Sequence, residues 1–150
     1  MARNFIWVAI VGAIAAATFA VAPAAMADGK GQFDGVWLGH YGYDANMANV
    51  DFQAEMQSDG SSFSGATIEN NTFADRSLAL FLTASIEGGV DAHGTVRFVK
   101  TYDGTGGQTH SVDYQGVLDS AGRCVNGTWS IGASHGPFQM CATEQAVSKP

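Results

Sequence analysis

A chain of 150 residues, 46% of them hydrophobic, has the length of one domain and enough apolar material for a core, which excludes wholesale disorder. Its 14 Asp and Glu against 7 Lys and Arg give a formal charge of −7, which argues against nucleic acid and anionic membrane surfaces as partners, since both need basic patches.

Residues 1–27 are a different material from the rest. A short start carrying Arg3 leads into an uncharged, Ala-rich apolar run, and Ala25-Met26-Ala27 then presents the small-x-small pattern read by signal peptidase. A membrane anchor is the competing reading, because Phe5 to Ala22 approaches the roughly 20 residues that span a bilayer. The Ala-rich character and the cleavage pattern favour a signal peptide of bacterial type. A single exported domain, 28–150, periplasmic or secreted and not inserted in a membrane, is therefore expected.

From Phe33 onward the hydrophobic period is two, the mark of half-buried strands. Phe33, Gly35, Trp37, Gly39, Tyr41 and Tyr43 alternate along the first. Val50, Phe52, Ala54 and Met56 alternate with Asp51, Gln53, Glu55 and Gln57 along the second, and Phe63-x-Gly65-x-Thr67 begins the third. Asn70 to Ile86 is ambiguous. Thr72-x-x-Asp75 could cap a short helix, but a loop or single turn followed by a strand from about Leu80 to Gly88 is preferred.

Four further strands follow: Val96 to Tyr102, Val112 to Leu118, Val125 to Ile131, and Phe138 to Met140. Turn residues separate them at Asp91–Gly94, Asp103–Gly107, Asp119–Gly122 and Gly132–Gly136. Eight short strands at regular spacing predict an all-β antiparallel meander closing into a barrel, which leaves no unpaired edge. Asp51, Gln53, Glu55, Arg97, Asp113, Gln115 and Gln139 fall opposite the aromatic face. The apolar side must then point inward, unlike the lipid-facing wall of an outer-membrane barrel.

A large apolar residue followed two positions later by Gly recurs as Phe33-x-Gly35, Phe63-x-Gly65, Tyr114-x-Gly116 and Val125-x-Gly127. Inside a small barrel such glycines make room for a neighbour's ring and permit coiling of the sheet. Gly35, Gly127, Trp37 and Trp129 are accordingly read as structural, filling one end of the interior. Gly35-Val36-Trp37 on the first strand of an eight-stranded meander resembles the Gly-x-Trp opening of the calycins, the lipocalins and avidins. Ser62–Thr67, Tyr114-x-Gly116 and Asn126-x-x-Trp129 are similar in kind to avidin-type strands. The resemblance implies a barrel able to bind a small molecule, and carries over no ligand and no site residue.

Cys124 and Cys141 make an even count in an exported domain, which favours one disulfide. Val125 and Met140 point inward, so both cysteines point outward on consecutive strands and can bridge across the last hairpin. No metal or cofactor site is expected. His40, His93, His110 and His135 show no ligand spacing and read as surface or turn residues.

Lys100 breaks the pattern. By parity with Phe98 and Tyr102 it points into the barrel, where an unpaired ammonium is expensive. In one reading it is structural: a two-residue turn at Ala92-His93 sets Glu87 opposite Phe98, and the two charges pair. In the other a bulge at Gly88-Gly89 turns Glu87 outward and Lys100 anchors an anionic ligand near the barrel mouth, with Tyr41, Tyr102 and Tyr114 supplying hydrogen bonds. The functional expectation is thus a barrel binding a small, partly apolar or anionic ligand through Tyr41, Lys100, Tyr102 and Tyr114. The alternative is a pocketless module acting through its loops on an envelope protein, such as a hydrolase. No nucleophile–base or acid–base pairing points to an enzyme.

Overall fold

The computed structural model describes residues 31–43, 49–73 and 78–144. The expected leader and the Asp75 of the expected capping box lie outside them. Eight antiparallel strands follow in chain order: β1 (Gly35–Tyr41), β2 (Val50–Asp59), β3 (Ser62–Asn70), β4 (Phe81–Val90), β5 (Thr95–Tyr102), β6 (Ser111–Leu118), β7 (Cys124–Ile131) and β8 (Ser134–Ala142). Each pairs with its sequence neighbours, and β1 pairs with β8, so the sheet closes into a barrel. The wall follows the period-two pattern: Phe52, Ala54 and Met56 are buried while Asp51, Gln53 and Glu55 are exposed. Trp37, Phe98 and Trp129 all lie in the interior.

The two ends differ. At one, short turns join β2 to β3, β4 to β5 and β6 to β7, and residues 31–34, just before β1, form a plug. Phe33 stacks on Phe63 with centroids 4.3 Å apart and on Trp37 at 5.0 Å. The Trp37 indole N–H donates to the Phe33 carbonyl at 3.1 Å, and the Phe33 amide donates to Ser58 Oγ at 2.9 Å. Burying rings of this size contributes about 1.5–3 kcal/mol each. The other end carries the longer connections, including the segment from Asp103 to His110 with its short 3-10 turn at Thr105–Gly107. Trp129 belongs to this second end, where its indole N–H donates to Gly42 O at 2.8 Å. Trp37 and Trp129 therefore fill opposite ends rather than one, because β1 and β7 enter their inward tryptophans at opposite stages of the barrel axis.

The glycines divide by task. A Cβ on Gly65 would stand 2.2 Å from Glu55 O, and one on Gly127 2.0 Å from Gln115 O, so these residues let neighbouring backbones close up as the sheet coils. Room for rings comes from others: Gly39 admits Phe52 and Gly136 admits Trp129. Gly35 has φ +103°, a conformation that side chains rarely adopt, at the point where the plug turns into β1.

Cys124 and Cys141 are register partners on β7 and β8, with Cα atoms 4.1 Å apart, and form the disulfide. The last strand begins at Ser134, so the β7–β8 turn is shorter than the glycines at 132 and 136 suggest. The β4–β5 turn is longer than expected. Asp91 pairs with Thr95, and its carboxylate accepts the amides of His93 and Thr95, both at 2.9 Å. Gly94 takes φ +80° in the resulting three-residue loop. That one extra residue slips the register, placing Gly88 opposite Phe98 and Glu87 opposite Val99. Since a one-residue slip reverses every side chain, Glu87 faces solvent without any bulge at Gly88-Gly89.

Candidate functional site

The partner of Lys100 is Glu69. Continuing the parity of Phe63, Gly65 and Thr67 along β3 brings Glu69 inside the barrel, where its side chain is 1% exposed and that of Lys100 2%. The two residues stand on β3 and β5, either side of β4. Glu69 is opposite Leu82 and Lys100 opposite Ile86, so the small inward residue midway between them is Ala84. Across that gap Lys100 Nζ donates to Glu69 Oε2 at 2.7 Å. The other carboxylate oxygen, Oε1, accepts the hydroxyls of Tyr41 at 3.1 Å and of Tyr102 in a closer contact. Both charges are thus matched by an opposite charge, and the carboxylate by two phenols besides, the condition under which an ion pair survives burial.

Rings surround the ammonium. Lys100 Nζ lies 4.6 Å from the Tyr102 centroid, 4.8 Å from that of Tyr41, 5.8 Å from Phe52 and 6.0 Å from Tyr114. All are within the range in which an aromatic face attracts a cation. Burial pushes the ammonium below the ordinary lysine value, against the pull of Glu69. Burial, reinforced by the Glu69 charge, pushes the phenols of Tyr41, Tyr102 and Tyr114 above the usual tyrosine range.

Beyond this cluster, toward the end with the longer connections, the barrel opens into a recess of about 360 Å³. Tyr41, Tyr102 and Tyr114 form part of its lining, with Val112. Tyr43, Phe73, Trp129 and Ile131 add apolar wall, and Gln108, His110 and Ser134 add polar groups. Tyr43 packs edge-on against Trp129 at 5.3 Å, and the His110 ring leans on Tyr102 at 4.7 Å. Of the four expected ligand-lining residues, the structure brings the three tyrosines to the recess. Lys100 is not part of that lining: its side chain is buried and bound to Glu69.

The residues missed by sequence reasoning differ in how visible they were. Glu69 was readable by extending the β3 alternation two positions. Tyr43 continues the β1 parity, and His110 continues that of Val112. Phe73 and Gln108 sit in connections with no period and gave no signal.

A trough of about 430 Å³ also runs along the outer wall beside Arg97, Asp113 and Gln115. Its charged groups are exposed to solvent, with Arg97 Nε donating to Gln115 at 3.3 Å. Among the described residues no three His, Cys, Asp or Glu side chains gather in a way that could hold a metal ion. His40, His93 and His135 lie on the wall or in turns, apart from the recess.

These features define a closed eight-stranded antiparallel barrel, plugged at one end, with a recess among the described residues at the other and a neutralised charge cluster between. Compared with known proteins, the chain matches no family model, no curated protein and no solved structure.

Proposed function

We propose that this protein is an exported barrel that binds a small, partly apolar ligand in the recess at its open end. The observation that carries the reading is the recess itself, whose volume lies within the range of ligand sites and whose wall joins many rings to a few polar groups. The calycin-like Gly35-Val36-Trp37 opening supports it, because barrels of that kind offer their mouths to ligands. The disulfide and the leader-like N-terminus support an oxidising compartment outside the cytoplasm.

A small-molecule thermal-shift screen, followed by the same screen on Ser134→Trp, tests the reading. Ser134 is an exposed residue of the recess lining, so an indole there should obstruct the recess. Compounds that raise the melting temperature of the wild type should lose at least tenfold in potency on the variant. An empty screen, or hits indifferent to the plug, rejects the proposal.

A second reading, attachment to another protein, has its own observation. Leu38, Ile68 and Phe81 are each about half exposed on the outer wall of β1 to β4, beside the exposed Leu78 and Leu80. Pull-down from an envelope extract with wild type and with Ile68→Lys distinguishes this from ligand binding; a partner retained by both proteins rejects the strip as the contact.

A further inference from the structure

We infer that the recess selects an uncharged ring compound over its cationic and anionic analogues, because the barrel satisfies both its buried cation and its buried anion with its own side chains. The inference rests on the proposed ligand-binding role and specifies its chemistry.

An anion entering the recess needs a counter-charge. Lys100 is the inward ammonium beneath the floor, and its Nζ is held 2.7 Å from Glu69 Oε2. Freeing it would strand Glu69, buried and uncompensated. Among the described residues no Asp, Glu, Lys or Arg lines the recess, and the chain's charge of −7 adds a repulsive field.

A cation needs several ring faces turned toward one point. In this barrel those faces converge on Lys100 Nζ, with four centroids between 4.6 and 6.0 Å. The remaining faces are largely spent on one another. Tyr114 stacks on Phe98 at 4.5 Å and 7°, and Tyr41, Tyr43 and Trp129 pack edge-to-face in a triangle. The aromatic cage is thus filled from below by the protein's own ammonium. What the recess offers above it is an apolar wall with hydrogen-bonding groups from Gln108, His110 and Ser134, which suits a flat, neutral ligand carrying one or two polar atoms.

Three probes of one shape decide the matter at pH 7: 2-naphthol, 2-naphthylmethylammonium and 2-naphthoate, titrated against the purified protein by NMR shift changes. The neutral compound should bind at least tenfold more tightly than either ion, with shifts confined to recess residues. An ion that binds as tightly as 2-naphthol overturns the inference and leaves the binding role standing. Failure of all three at millimolar concentration overturns both.

A second experiment reads the cage directly. Lys100→Ala leaves Glu69 and the four rings around a space the size of a propylammonium ion. Propylammonium should raise the melting temperature of that variant and leave the wild type unchanged, and neutral 1-propanol should stabilise neither protein. Equal stabilisation by the alcohol overturns the cage argument; should the variant not fold, the naphthalene series decides alone.

Discussion

Glu69 and Lys100 meet inside the barrel from strands that are not neighbours, with Nζ 2.7 Å from Oε2 and the carboxylate's other oxygen accepting two tyrosine hydroxyls. The pair holds β3 and β5 at a fixed separation across β4 and forms the boundary between solid core and open recess. Burying two charges gives little net stability over an apolar pair, but removing one partner strands the other.

Glu69→Gln and Lys100→Met should therefore each destabilise the fold by about 3–5 kcal/mol in denaturant titrations, whereas the double variant should lose much less than the sum. Additive losses would show that the two side chains are not energetically coupled.

Alkali should unfold the barrel steeply. Tyr41, Tyr102 and Tyr114 are held above the ordinary phenol value of 10.0, so their contribution is fully present below about pH 10 and is lost as pH rises past it, where the unfolded chain sheds protons that the fold retains. Each such group costs up to about 1.4 kcal/mol per pH unit there. Lys100 acts in the opposite sense: its lowered value makes stability rise as pH climbs toward the unfolded value of 10.5, and its effect ends there. Above that point the tyrosines act alone. The phenolate absorbance of these three should appear together with loss of the β-sheet circular dichroism signal; ionisation in the intact barrel near pH 10 would contradict this.

Close approach of backbones makes Gly127 intolerant. Gly127→Ala sets a methyl group 2.0 Å from Gln115 O, which no side-chain rotation relieves, and should cost about 3 kcal/mol or more. Gly60→Ala meets nothing within 4 Å and bears only the strain of φ +61°, about 1 kcal/mol. Urea midpoints of the two variants should fall in that order.

Reduction of the Cys124–Cys141 bridge, which spans a sequence separation of 17, should lower stability by about 3 kcal/mol. The bridge lies at the plugged end of β7 and β8, away from the recess. Ligand affinity measured well below the melting temperature should then be unchanged, and a parallel loss of affinity would mean that the two ends are coupled.

Alternation along the chain was enough to read the eight strands, the inward aromatics, the disulfide across the last hairpin and the anomaly at Lys100, because a side chain's face follows from its parity once a strand is recognised. Glu69 was equally legible as an inward acid. Linking it to Lys100 was not, since parity says which side a residue faces and nothing about which distant strand it meets.

The partner of Lys100 depended on one residue of turn length. A two-residue turn at Ala92-His93 would bring Glu87 inside, whereas the three-residue loop closed by Gly94 turns it to solvent, and that choice rests on hydrogen bonds of the Asp91 carboxylate that composition does not encode. The recess likewise depended on closure: Phe73, Gln108 and Trp129 are far apart in sequence and share a wall only because the sheet curls until β1 meets β8. Local pattern determined what each strand buries; register and closure, which are long-range, decided which buried groups touch and where the interior stays open.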